Sequence, residues 1–265
     1  MSKIFLGQPC YGSIEMESAD SVDKALSAES SHELHIVRQS SSLLANCFNT
    51  LLGTCLQYNR EQPDGYEYFH LLHADVSPAG FGGAHVGWLD VQIAELERYG
   101  LDVIHSPCLM KDGKDRTSTA IAYSDDPWQP VRRITHKELK KLFPTFTVGV
   151  VREQLDVPEA YALLPNTGCM LIKLGPWLEK FPGFEIRDRL VLEPSPGHSE
   201  PHWQAHTISE DWNFGFWCAA NGVKVGATTK VKPVHFGRCP FILDKPFGQE
   251  RDETFFELRA AAKAA

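Results

Sequence analysis

Three short stretches combine residue types able to do chemistry. The first, His73-Ala74-Asp75-Val76-Ser77-Pro78, directly follows an apolar run. Asp75 is therefore expected at the carboxyl edge of a strand, where ligands gather in open α/β sheets. An aspartate that merely starts a turn before Ser-Pro accounts for the same residues. The second, Thr207-Ile208-Ser209-Glu210-Asp211-Trp212-Asn213-Phe214, reads as a helix start, with Ser209 as N-cap and two acids opposing the helix dipole. That structural role is sufficient by itself. Trp212, Phe216, Ala219 and Ala220 would also pin the helix in the core and leave both carboxylates at its mouth, where Asp211 could act as a general base. The third, Lys230-Val231-Lys232-Pro233-Val234-His235-Phe236-Gly237, is a strand leading to one histidine. A lone histidine is more often structural than a ligand.

His198, His202 and His206 are spaced by four, which on one helix face could hold zinc. Pro201 falls between them, and Pro194, Pro196 and Gly197 precede them, so a continuous helix is not expected.

The elements that must position these residues are legible in outline. Lys3 to Gly7 reads as a first strand, broken by Gln8-Pro9-Cys10-Tyr11-Gly12 into a loop. Between Ser40 and Tyr58 the apolar pairs Leu43-Leu44, Cys47-Phe48, Leu51-Leu52 and Cys55-Leu56 recur every four residues, which lines one helical face. Tyr66 to Leu72 is a buried strand ending at His73-Ala74-Asp75. A second helix runs from Trp88 to Tyr99 and closes on Gly100, followed by a short strand at Val103-Ile104-His105. Strand and helix alternate, as in a parallel sheet.

Residues 111–130 are polar and turn-rich, and Arg132, Arg133, Lys137, Lys140 and Lys141 form one basic cluster. Asn166 to Lys173 reads as a strand, Pro182 to His206 as a loop-rich segment, Ser209 to Asn221 as a helix and Val223 to Val234 as a strand pair. No internal repeat is visible.

Composition bounds the classes. With 265 residues, 43% hydrophobic and 23% charged, the chain is an ordinary globular protein and not a disordered one. One α/β domain is the expectation. A net charge of −8 argues against broad polyanion binding. Seven cysteines without a C-x-x-C pair indicate neither a zinc knuckle nor a disulfide framework, which fits a reducing cytoplasm. No apolar run of about 18 residues predicts a signal peptide or membrane span.

Taken in order, the three stretches resemble the GT-A glycosyltransferases, particularly those that are family 2-like. Phe5 to Gly12 is similar to the family's opening, and Ser40 to Asn49 to its serine-leucine helix, with Phe48 where an arginine is usual and Asn49 matching the asparagine. Tyr68 to Val76 is similar to the strand ending in D-x-D, with His73 in place of the first aspartate, and Asn166 to Ile172 to the acceptor-side strand.

The resemblance implies a GT-A (Rossmann-like) mixed, mainly parallel sheet flanked by helices. It implies a single domain over 1–265, with a nucleotide-sugar half at 1–110, an acceptor-side half at 111–245 and a C-terminal helix or tail at 246–265. It implies hexosyl or pentosyl transfer from a nucleoside-diphosphate sugar to an acceptor hydroxyl, aided by Mn²⁺ or Mg²⁺ on Asp75 and His235. Pro9, Tyr11, Asn49, His73 and Asp75 would bind donor nucleotide; Asp211 would be the base, with Glu210 beside it. Gly168, His202 and Trp212 would lie on the acceptor side, under a mobile loop formed by the 182–206 segment.

For the acceptor, the basic cluster keeps a hydroxymethylated base in phage-type modified DNA in view, against a small molecule or glycan. A solvated helix face with Glu138 interleaved explains the cluster without DNA. Two other classes stay open: a metal-dependent hydrolase built on Asp75, His235 and the clustered histidines, and a non-catalytic nucleotide-binding protein.

Overall fold

The structure is a computed structural model that describes residues 1–10, 13–27, 32–79, 87–111, 114–194, 200–237 and 240–242. Its strands are β1 (Lys3–Cys10), β2 (Glu33–Ser40), β3 (Tyr68–Leu72), β4 (Val76–Ser77), β5 (Val103–His105), β6 (Ala120–Ala122), β7 (Val131–Arg133), β8 (Thr145–Thr147), β9 (Ala162–Leu164), β10 (Cys169–Lys173), β11 (Arg187–Glu193), β12 (His202–Ile208), β13 (Val225–Thr228), β14 (Val234–Phe236) and β15 (Pro240–Ile242). The helices are α1 (Met16–Ser27), α2 (Leu44–Glu61), α3 (Trp88–Tyr99), α4 (His136–Leu139), α5 (Val148–Gln154) and α6 (Glu210–Ala220).

Seven strands form the main sheet in the order β2-β1-β3-β10-β5-β13-β8. β1 is parallel to β2 and β3, and β5 to β13, while β10 runs against β3 and β5, and β8 against β13. The expectation of a mixed, mainly parallel α/β sheet is met. Strands from both sides of residue 110 interleave in it.

Alternate residues of β1 face different cores, the period of two that a sheet imposes. Ile4 and Leu6 join Leu89, Ile93 and Leu96 of α3 and Val22 and Ala25 of α1. Phe5 joins Cys47, Phe48, Leu51, Leu52 and Cys55 of α2 with Phe214 and Cys218 of α6. Both faces are thus covered, at about 1.5–3 kcal/mol for each large side chain removed from water. Gly100 ends α3 in the left-handed region at φ 58°, as its place after Tyr99 predicts.

Several local expectations are corrected. β1 does not stop at Gly7; it continues through Pro9, which pairs with Gln39 of β2. Pairing with β3 ends at Gly7, so only one neighbour flanks Pro9 and its missing N–H is tolerated. The polar 111–130 stretch contains β6, whose Ala120, Ile121 and Ala122 are all buried between β7 and β9. The loop-rich 182–206 segment is largely an antiparallel ribbon, β11 with β12, registered from Arg187↔Ile208 to Glu193↔His202. The strand pair expected over Val223–Val234 splits: β13 enters the main sheet, and β14 pairs with β4 and β15 instead. In α6 Phe216 is buried and Trp212 and Ala219 pack beside it as expected, whereas Ala220 is exposed; Phe214 and Cys218 are buried in the other core, with Phe5 and α2.

Candidate functional site

The pairing of β14 with β4 builds the site. β3 ends at Leu72, and the chain turns at His73, whose N–H donates to the Gly168 carbonyl at 3.0 Å. Three residues later β4 begins, with Val76 opposite His235. The Phe236 N–H donates to the Asp75 carbonyl at 2.7 Å, which fixes the two segments edge to edge. Residues 160 positions apart are thereby neighbours: His235 Nε2 lies 3.6 Å from Asp75 Oδ2.

The histidine's orientation is set from behind. Its Nδ1 lies 3.0 Å from the Leu109 carbonyl, which can only accept, so Nδ1 carries a proton and Nε2 is the ring nitrogen turned toward Asp75. Lys111 forms an ion pair with the same Asp75 oxygen. Burial pushes the Asp75 carboxyl up, but His235, Lys111 and His73 together outweigh it and hold the group well below the usual carboxylate range. Asp75 is thus a persistent anion.

His73 is of another kind. Its Nε2 lies 3.1 Å from Thr167 Oγ1, its ring packs 5.3 Å from that of Phe48, and burial pushes its pKa down to about 4 despite the Asp75 charge. It is a neutral imidazole where a second carboxylate would add charge.

His73 and His235 border a pocket of about 200 Å³ lined also by Val76, Cys108, Met110, Ser118, Arg133, Asn166, Thr167, Gly168, Ser209, Glu210 and Asp211. The 166–168 turn is pinned by Asn166, whose amide donates to the Ser106 carbonyl at 3.2 Å and accepts from the Gly168 N–H at 3.1 Å. The wall is tight there: a Cβ on Gly168 would meet Asn166 Oδ1 at 3.0 Å and Val76 Cγ2 at 3.4 Å.

The opposite wall is the start of α6. Ser209 stands at the N-cap as expected, but its hydroxyl does not cap the helix; it donates to Asp211 Oδ1, which also accepts from the Trp212 N–H at 2.8 Å. Burial raises the Asp211 carboxyl, against lowering by Ser209, Trp212 and the Arg133 charge. Burial, with the Asp211 charge next to it, raises Glu210. Two carboxyls with raised pKa values at one pocket wall are suited to accepting a proton. Arg133 stacks 4.5 Å above the Trp212 ring and donates from Nη1 to the Thr117 and Ser118 carbonyls, both at 3.2 Å.

Asp75 and His235 fit a divalent ion in part. Ligands about 2.1 Å from one ion at right angles stand roughly 3 Å apart, so their 3.6 Å separation needs only a small closure. Among the described residues no group of three or more His, Cys, Asp and Glu side chains converges on one point, so an ion here would complete its shell from water or a bound molecule.

Of the residues singled out from sequence, His73, Gly168, Glu210, Asp211 and His235 share this pocket, with Asp75 and Trp212 in contact with its walls. Asn49 and Pro9 are not among the lining residues. Both ends of the Asn49 amide are engaged by the Phe184 backbone, at 2.8 and 2.7 Å, so it clamps the 181–184 turn onto α2. His202 lies exposed on β12 and does not line the pocket, while His206 pairs with Glu193 at 2.8 Å across the ribbon, so no helical face gathers these histidines. Tyr11, His198 and the 246–265 tail lie outside the described residues.

Lys111, Arg133, Asn166 and Thr167 were not singled out for the site. Arg133 was visible only as one of the basic cluster, which the fold disperses: Arg132 pairs with Glu138, Arg133 turns to the pocket, and Lys137, Lys140 and Lys141 are exposed. No helix among the described residues is long and apolar enough to cross a membrane. Comparison with known protein families finds no match, and neither does comparison with curated proteins.

Proposed function

We propose that this chain is a metal-dependent glycosyltransferase of the GT-A type, moving a sugar from a nucleoside-diphosphate donor to an acceptor hydroxyl. One observation carries the reading: His235, adjacent to the anionic Asp75, lines one small pocket together with the carboxyl of Asp211. The place of the site supports it: His73 and Asp75 follow the carboxyl end of β3, and the 166–168 turn leads into the antiparallel β10 beside it.

In this reading Asp75 and His235 Nε2 hold Mn²⁺ or Mg²⁺, which when bound neutralises charge on the departing nucleoside diphosphate. His73, neutral, donates or accepts one hydrogen bond to the donor but adds no charge. Asp211 Oδ2 takes the proton of the attacking hydroxyl in an inverting transfer, and Ser209 with the Trp212 N–H holds Oδ1 so that Oδ2 stays aimed. Glu210 shapes the acceptor side. The Trp212 face under Arg133 lines the entry.

Between acceptor classes, a small molecule or glycan is favoured over modified DNA. The basic residues do not form one face, and the pocket is of about 200 Å³, with room for little more than the reacting groups. The test is a thermal-shift screen of UDP, GDP, CDP and their sugars with Mn²⁺, since a ligand selective for the native state raises the melting temperature. A metal-dependent rise with one nucleotide class is expected; no rise with any of them overturns the reading. Salt-sensitive binding to duplex DNA would return the acceptor to the DNA class.

A further inference from the structure

The Asp75–His235 pair already has a cation from the chain itself. Lys111 Nζ binds the Asp75 oxygen that faces His235 Nε2. No sequence motif marks Lys111, which follows the buried Leu109 in a polar turn. It arrives because the Leu109 carbonyl holds His235, so the next residues run along the rim of the site. Both members of the pair stay accessible, Lys111 at 33% and Asp75 at 38% side-chain exposure, as a ligand-exchange site requires.

Charge makes the arrangement consequential. Asp75 is the carboxylate that stands beside His235, and Lys111 already balances it. A divalent ion shared by Asp75 and His235 would be held against the repulsion of an ammonium on the same oxygen. A lysine ammonium has three N–H donors on a flexible stem; one spent on Asp75 leaves two for phosphate oxygens.

We propose that Lys111 is a second cation of the diphosphate site, competing with the metal for Asp75 and able to hold a nucleoside diphosphate without it. The inference rests on reading this pocket as the donor site, and its two halves are separable.

The first arm titrates Mn²⁺ alone into the wild type and Lys111→Met by calorimetry. Removing the competing ammonium is expected to tighten Mn²⁺ binding about 10-fold; unchanged or weaker binding overturns the competition. The second arm titrates UDP, GDP and CDP in EDTA. The wild type is expected to bind at least one of them, Lys111→Met about 10-fold more weakly, and Lys111→Arg, which keeps the charge, close to the wild type. Equal affinity of Lys111→Met and wild type in EDTA overturns the diphosphate role. Tightened Mn²⁺ binding with no nucleotide bound in EDTA or Mn²⁺ upholds the competition and overturns the donor-site reading with the second half.

Discussion

Histidines in the body of the main sheet and beyond its strand ends meet opposite fates. His70 in the middle of β3 and His105 in β5 are fully buried, and the sheet uses them as core polar groups: His70 Nε2 lies 2.8 Å from Gln92 Oε1, and His105 Nε2 lies 2.9 Å from Thr119 Oγ1. Burial pushes them down to about 4 and about 3. His73 stands three residues beyond His70, past the end of β3, His235 stands on the short β14, and both line a pocket. The same side chain is packing in the body of a strand and chemistry beyond its end, because only at the sheet's edge does the chain diverge enough to leave a cavity. Changes at the edge should therefore alter chemistry and spare stability, and changes in the body should do the reverse.

The largest effect expected at the edge is on Asp211→Asn, which keeps the shape but cannot take a proton: transfer should fall by roughly 10³-fold with donor affinity unchanged. Steady-state kinetics beside calorimetry checks this, and undiminished transfer would remove Asp211 as the base. Asp75→Ala should weaken metal-dependent donor binding by at least about 100-fold, since the site loses its anion; calorimetric affinity equal to the wild type would refute the metal assignment.

His235→Ala should lower Mn²⁺ affinity about 10-fold while leaving the melting temperature nearly unchanged. In the body of the sheet, His70→Ala should leave Mn²⁺ affinity alone and cost about 2–4 kcal/mol of stability through the cavity beside Trp88. If both variants lost stability and metal binding alike, the contrast between edge and body would collapse.

The smallest effect is a pH dependence. His70 and His105 have folded pKa values below the ordinary histidine range near 6.5, so the unfolded chain binds protons first. Stability is full above about pH 6.5 and is lost as pH falls toward 4, by up to about 3 kcal/mol per histidine. Urea unfolding between pH 7 and 4.5 should show this slope, and His105→Gln should flatten it; an unchanged slope would mean His105 is not buried neutral.

Elements that carry their own periodicity were legible in advance. α2 and α3 follow from apolar spacing and from Gly100, and β3 from a run that is apolar but for His70. β6 was not, because Ala120, Ile121 and Ala122 make too short an apolar run among polar neighbours to signal burial. The β11–β12 ribbon was missed for a different reason. Leu190, Leu192 and Trp203 on one of its faces are exposed, so it lacks the alternation of a half-buried strand, and prolines flank it.

By itself the sequence determined the chemistry at each position: an aspartate after an apolar run, two acids at a helix start, a histidine late in the chain, and an α/β alternation able to carry them. Local propensity and periodicity act over a few residues, which is enough for those statements. Which of them meet was decided by tertiary structure alone. The pairing of β14 with β4 joins His235 to Asp75, the Leu109 carbonyl sets which ring nitrogen faces Asp75, and Lys111 comes with it. Strand pairing between distant segments depends on the closure of the whole sheet and its cores, and leaves no signature in the spacing of the residues it joins.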